Sequence, residues 1–225
     1  MKQIDVQQDI LHANEIVAHE NRQLFKRKGI YVLNLMSSPG AGKTTLLERT
    51  IELLKDTCNL GVIEGDIATS YDAERISSHG IPVTQINTGG ACHLESNMIK
   101  TALSEFNLDS LDLLIIENVG NLVCPAEFNL GEDAKVMVLS VTEGEDKPLK
   151  YPLMFRLSKA LIINKVDLLP YTNCRTEKIM EDVTGLNPDL TIFETSCTKK
   201  TGLDAWKTWL EEKLYQKKQS LPSDG

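Results

Sequence analysis

Seven short apolar runs rich in β-branched residues recur along this chain, and helix-length segments separate most of them. They are 30–36 (IYVLNLM), 61–66 (GVIEGD), 81–87 (IPVTQIN), 111–118 (LDLLIIEN), 134–141 (AKVMVLSV), 159–165 (KALIINK) and 190–195 (LTIFET). Strands that alternate with helices build βαβ units, which predicts an α/β fold: a mostly parallel sheet with helices on both faces. At 225 residues and 41% hydrophobic the chain suffices for one such core. Residues 6–28 place Ile10, Leu11, Ile16, Val17, Leu24 and Phe25 near helical spacing without Gly or Pro, so residues 1–29 are expected to form an N-terminal helix packed on the domain. Residues 30–215 are expected to be that domain, and residues 216–225 (QKKQSLPSDG) a disordered tail.

The stretch Ser37-Ser-Pro-Gly-Ala-Gly-Lys-Thr44 follows the first predicted strand and opens the first long helical pattern. It matches G-x-x-x-x-G-K-[ST] at Gly42, Lys43 and Thr44, with Ser37 in place of the first glycine. Backbone N–H groups from Gly40, Ala41, Gly42, Lys43, Thr44 and Thr45, backed by a helix N-terminus, suit a chain of phosphates. Lys43 is expected to reach the β- and γ-phosphates, and the Thr44 hydroxyl to hold Mg²⁺.

Asn164-Lys-Val-Asp167 closes a late predicted strand and resembles the guanine-reading motif N-K-x-D. An aspartate at Asp167 accepts from guanine N1–H and its exocyclic amine; adenine offers neither donor and leaves the carboxylate unmatched. Lys165 is expected along the base plane, Asn164 is expected to tie this loop to the phosphate loop, and Ser196 and Cys197 fall in the remaining base-contacting loop. The nucleotide is therefore read as GTP or GDP. Asp66 and Glu117 end two predicted strands and, with Lys43, are the expected catalytic groups, binding Mg²⁺ and positioning the attacking water. Glu117-x-x-Gly120 stands where most small GTPases carry Asp-x-x-Gly, and no glutamine follows it in a water-positioning place, so slow intrinsic turnover is expected.

Gly89-Gly-Ala-Cys-His-Leu-Glu95 sets Cys92 beside His93. Alone the pair reads equally as metal ligands or as a small buried thiol next to a helix-start histidine; as nucleophile and base it is weak, because adjacent loop residues seldom face each other. Cys124, seven residues after Glu117, tips the reading toward Ni²⁺ or Zn²⁺, for which thiolate and imidazole are fitting ligands, while carboxylate and water suit Mg²⁺. Three ligands leave a four-coordinate site incomplete; a two-fold dimer would complete it from the second copy. Glu95 is expected to bind the metal or orient His93. Lys147, in the charged loop Glu143–Pro148, is read either as reaching across such a dimer or as a solvated lysine.

A net charge of −8 argues against broad binding to nucleic acid or an anionic membrane, and no apolar run has transmembrane length. Five scattered cysteines and an N-terminus without a signal-peptide core point to the reducing cytoplasm.

SSPGAGKTTL, GGACHLE, ENVGNLVCP, EGEDKPLKYP and NKVDLLP, in that order, together resemble the hydrogenase nickel-incorporation GTPase family, HypB, over about residues 30–210. The resemblance implies a dimerising phosphate-loop GTPase (the SIMIBI class), related to the urease and signal-recognition-particle GTPases, that inserts nickel into [NiFe]-hydrogenase. It implies a GTP-dependent homodimer, a HypA-type nickel metallochaperone as partner and, indirectly, the hydrogenase large-subunit precursor. It assigns Cys92, His93 and Cys124 to the metal site, and Asp66 and Glu117 to the switch regions. Residues 1–29 depart from relatives with Cys-rich or His-rich N-termini, since they hold no cysteine and only His12 and His19. A GTPase serving another nickel enzyme such as urease, and a GTPase switch with a structural zinc at its dimer interface, are the rival readings.

Overall fold

The computed structural model describes the backbone of residues 6–66 and 71–221 and the side chains of residues 9–65 and 71–221. In chain order the elements are α1 (Val6–Lys28), β1 (Tyr31–Ser37), α2 (Lys43–Leu54), β2 (Leu60–Asp66), α3 (Tyr71–Ser77), β3 (Val83–Asn87), α4 (Ser96–Ala102) and β4 (Leu113–Glu117). The short helix α5 (Cys124–Glu127) precedes β5 (Ala134–Ser140), α6 (Lys147–Lys150), α7 (Pro152–Leu157) and β6 (Ala160–Asn164). Helix α8 (Thr176–Leu186), β7 (Thr191–Glu194) and α9 (Leu203–Gln219) complete the chain.

Among the described residues the seven strands form one sheet in the order β3-β2-β4-β1-β5-β6-β7, and every neighbouring pair is parallel. The expected mostly parallel sheet is thus parallel throughout. A parallel sheet must be covered on both faces, which is why its central strands read as unbroken apolar runs. All seven residues of β1 are buried. Because strand side chains alternate, Leu33 and Leu35 enter one cluster with Leu46, Ile51, Trp206 and Leu210 from α2 and α9, while Val32 joins Phe25 and Ile99 on the opposite face. Each fully buried leucine-sized side chain contributes about 1.5–3 kcal/mol. Trp206 stacks on Trp209 with ring centroids 5.3 Å apart and donates its indole N–H to Thr50 Oγ1 at 2.9 Å, so its polar edge is satisfied inside the core.

The tail expected from residue 216 begins instead as the last turn of α9. Its lysines are paired: Lys217 Nζ lies 2.7 Å from Asp133 Oδ1, and Lys218 Nζ 2.8 Å from Asp112 Oδ1. Both also stand at the helix C-terminus, where positive charge is favoured. Residues 222–225 of the expected tail lie outside the described residues.

Helix α1 is fastened by buried asparagines. Asn14 Oδ1 accepts from Ser96 N–H at 2.8 Å, and Asn21 Nδ2 donates to Ser96 O at 2.9 Å and Leu130 O at 3.2 Å. These bonds tie the N-terminal helix to the start of α4 and to the segment before β5. Chain order reverses around β1: β2 lies two places away, beyond β4, and β5 lies on the other side. Ligands of open α/β sheets bind at the carboxyl ends of strands at such a switch point.

Candidate functional site

Strand β1 ends at Ser37 and α2 starts at Lys43, so the phosphate loop sits at the switch point. Gly42 caps α2 with φ 103°, and a Cβ there would lie 2.5 Å from Asn164 Nδ2. Only glycine fits both the backbone conformation and that contact. The Lys43 ammonium donates to Ser37 Oγ at 3.0 Å; burial pushes its pKa down, opposed chiefly by the Glu117 carboxylate. Thr44 Oγ1 donates to Glu117 Oε1 at 2.9 Å. Burial pushes Glu117 up to about 7, against the pull of Lys43 and the Thr44 hydrogen bond. Its second oxygen, Oε2, is buried and has no hydrogen-bond partner among the described residues. A carboxylate oxygen left free beside a threonine hydroxyl fits the oxygen donor set of a divalent cation such as Mg²⁺.

Gly42, Lys43, Thr44 and Glu117 line a cavity of about 480 Å³ together with Gly40, Thr45, Asp72, Arg75 and Lys165. Asp66 ends β2, but its side chain lies outside the described residues. Glu64 also lines the cavity and is one of the groups sequence reasoning missed. It pairs in register with Glu117 across β2 and β4, and both residues are buried. The signal was present: Glu64 stands two residues before Asp66 in the same predicted strand run. Arg75 was missed as well; its guanidinium is held by Glu48 at 2.6 Å and Asp72 at 3.0 Å.

The N-K-x-D loop meets the phosphate loop as expected. Asn164 Nδ2 donates to Ala41 O at 3.0 Å and Lys165 Nζ to Gly40 O at 2.7 Å. Lys165 has φ 62°, a left-handed conformation that turns the chain out of β6. Asn164 Oδ1 in turn accepts from Thr195 Oγ1 and from Cys197 N–H, each at 3.3 Å. Ser196 and Cys197 thus belong to this loop cluster, with the Cys197 side chain 2% exposed within the core and its thiol raised by burial to about 11. Lys147 lines a separate cavity of about 640 Å³ with Glu143 and Cys174, its ammonium 5.8 Å from the Tyr151 ring centre.

Cys92, His93 and Cys124 come together: one donor atom from each lies within 4.8 Å of the other two. Cys92 donates its S–H to Cys124 Sγ at 3.0 Å, and Cys92 Sγ lies 3.4 Å from His93 Nδ1. The expectation that adjacent loop residues would not face each other fails here. The Phe128 ring lies against the imidazole with centroids 3.8 Å apart and planes tilted by 33°, and Glu95 Oε1 lies 3.8 Å from Nε2. Burial lowers the His93 pKa, opposed by Glu95 and Glu127, which favours the neutral imidazole that ligates metals. Cys124 opens α5, and Asn121 from the preceding loop donates to Cys92 O at 3.3 Å. Two thiols and an imidazole in this arrangement suit a borderline-soft cation, Ni²⁺ or Zn²⁺.

A parallel sheet with this loop at its switch point defines a phosphate-loop nucleotide-binding protein. The model of the CobW/HypB/UreG nucleotide-binding domain matches residues 31–194. The chain belongs to this family and, within it, to the HypB proteins. It is 51% identical over 210 residues to the hydrogenase maturation factor HypB of Escherichia coli K12, covering 93% of this chain and 72% of that one. It is 44% identical over 226 residues to the hydrogenase/urease maturation factor HypB of Helicobacter pylori J99, covering 99% and 93%. The crystal structure of Helicobacter pylori HypB in complex with nickel superposes with a TM-score of 0.85 at 44% identity, over 95% of this chain and 99% of that one.

Proposed function

We propose that this chain is a GTP-hydrolysing nickel metallochaperone for [NiFe]-hydrogenase maturation, in which the nucleotide sets the hold on the metal. The observation that carries the reading is connectivity: the segment leaving β4 begins at Glu117, which contacts the phosphate-loop Thr44, and reaches Cys124 seven residues later, beside Cys92 and His93. The names of the close relatives support the hydrogenase assignment, and the nickel complex of one of them supports the cargo.

Lys43 would neutralise the β- and γ-phosphate oxygens, Thr44 and Glu117 would hold a Mg²⁺ ion with Asp66, and the carboxylates would orient the attacking water. Bound Mg²⁺ supplies charge neutralisation across the transferring phosphoryl group. Asp167 selects guanine, while Asn164, Lys165 and the loop of Ser196 and Cys197 shape the base site. With no glutamine in a water-positioning place after Gly120, hydrolysis is slow until a partner or second subunit completes the site.

Nickel is cargo, held by Cys92, His93 and Cys124 with a fourth ligand from a second copy across a two-fold axis. Leu149, Leu153 and Leu157 expose 61%, 39% and 45% of their surface along α6 and α7, an apolar strip suited to that copy. A HypA-type protein and, beyond it, the hydrogenase large-subunit precursor are the onward partners, in the reducing cytoplasm that keeps the thiols free. Zn²⁺ competes for the same ligands, its occupancy set by availability.

The test is Ni²⁺ affinity with GDP and with a non-hydrolysable GTP analogue, read with oligomeric state. About a tenfold difference is expected, within the usual range of coupling between sites. Equal affinities and one oligomeric state for both nucleotides would overturn the reading. The Helicobacter pylori relative's name also covers urease, so a urease-maturation assay belongs beside the hydrogenase assay. For a structural zinc at a dimer interface, Cys124→Ala would weaken the dimer and leave nickel handling intact.

A further inference from the structure

Asn118 directly follows the nucleotide carboxylate Glu117 and is 1% exposed. Its Oδ1 accepts from Leu94 N–H at 3.1 Å and from Val119 N–H at 2.9 Å, while its Nδ2 donates to Asn34 Oδ1 at 3.1 Å. Its main-chain N–H donates to Leu35 O at 3.0 Å. One buried amide therefore joins the end of β4, the middle of β1 and the residue immediately after His93.

Leu94 is itself fully buried and packs against a second strand end. A Cβ on Gly65, near the end of β2, would lie 2.7 Å from Leu94 Cδ1, so the leucine occupies space that only a glycine leaves open. Leu94 is thus seated between the strand ends that deliver Asp66 and Glu117. From Glu117 to His93 the path is one peptide link, one hydrogen bond and one further peptide link. Cys124 reaches the same strand end by a different route, the covalent loop through Asn121.

We infer that Asn118 is the positioning residue through which a movement of Glu117 reaches the Cys92–His93 half of the metal site. The inference rests on the nucleotide-coupled metal reading above and names the group that transmits it. A buried amide oxygen cannot release Leu94 N–H without stranding a donor away from water, so the two segments move together. Because Cys124 follows Glu117 through the loop of residues 118–123 and His93 follows through one hydrogen bond, the same displacement shifts the two halves by different amounts. The distance between the thiolates and the imidazole then depends on what Glu117 holds.

The experiment titrates Ni²⁺ into the full chain, following the thiolate-to-nickel charge-transfer absorption, with saturating GDP or saturating non-hydrolysable GTP analogue. Wild type is compared with Asn118→Ala and Asn34→Ala. Asn34→Ala removes the partner of Nδ2 but leaves Oδ1 on Leu94. Wild type is expected to show about a tenfold affinity ratio between nucleotides, Asn34→Ala to keep at least about fivefold, and Asn118→Ala to fall below about twofold. If Asn118→Ala does not fold, Asn118→Ser, whose hydroxyl is polar but too short to reach Leu94, takes its place. A wild-type ratio in the Asn118 variant overturns the inference, as does equal loss in both variants, which would mark a packing role. A ratio of one in wild type overturns the coupling reading and the inference with it.

Discussion

At the scale of single residues, Glu117 is where physical chemistry is most exposed to test. Burial raises its carboxyl to about 7, well above an unfolded-state value near 4.5. A folded pKa raised above the unfolded one means that the fold binds the extra proton between those values. The stability that Glu117 contributes is therefore fully present below about pH 4.5 and is lost as pH rises through about 7. Holding a cation requires the ionised form, so binding Mg²⁺ and nucleotide should expel this proton. Calorimetry in buffers of different ionisation enthalpy should report release of up to one proton near pH 6 and almost none at pH 8.5, apart from the nucleotide's own titration; Glu117→Gln should abolish the difference. Gly42 gives a second residue-scale expectation. Gly42→Ala forces a side chain into φ 103° and against Asn164, which should cost about 1–3 kcal/mol in urea unfolding and weaken nucleotide binding more than it weakens Ni²⁺ binding.

Among the elements, α5 has the most demanding position, since it carries Cys124 in only four residues. A helix that short cannot satisfy its own carbonyls. Lys135 from β5 does so: its ammonium donates to Pro125 O at 3.2 Å, Ala126 O at 2.6 Å and Phe128 O at 3.0 Å, with Glu132 Oε1 3.7 Å away. Lys135→Met should cost about 2–4 kcal/mol, because three carbonyls lose a charged donor. It should also lower Ni²⁺ affinity about fivefold or more by loosening Cys124, a change that Ni²⁺ titration checks directly. Unchanged affinity would mean that Cys124 is held by the preceding loop alone. Helix α9 shows how an element can extend past its compositional signal. Lys217 and Lys218 read as tail residues in sequence, yet Asp133 and Asp112 lie within reach of them.

For the whole molecule, the proposed cycle turns on association. The strip of Leu149, Leu153 and Leu157 is exposed in the single chain, and burying it in a dimer would remove apolar surface from water. Leu149→Asp should leave the fold intact, because the side chain is already exposed, and should lower the dimer fraction seen by sedimentation with the GTP analogue by about tenfold or more. A dimer that persists would place the two-fold axis elsewhere on the surface.

The sequence by itself determined the architecture and the place of the phosphate loop at its switch point. Seven runs became seven strands: β1, β4, β5 and β6 are buried on both faces and so nearly continuously apolar, while the half-exposed edge strands β3 and β7 mix apolar and polar residues. Gly42, Lys43, Thr44 and Asn164 were legible because their spacing is local, or tied to a strand end. Cys92 and His93 were legible only through Cys124, and their contact at 3.4 Å was not, because the Phe128 ring that lies against the imidazole comes from a segment more than thirty residues away in sequence. Glu64, Arg75, Asn118 and Lys135 act through neighbours brought to them by strand order and loop return. Contacts such as Arg75 to Glu48 and Asn118 to Leu94 join segments far apart in sequence. Only the tertiary structure decided them, because which buried donor meets which acceptor depends on the three-dimensional register of β1, β2, β4 and β5.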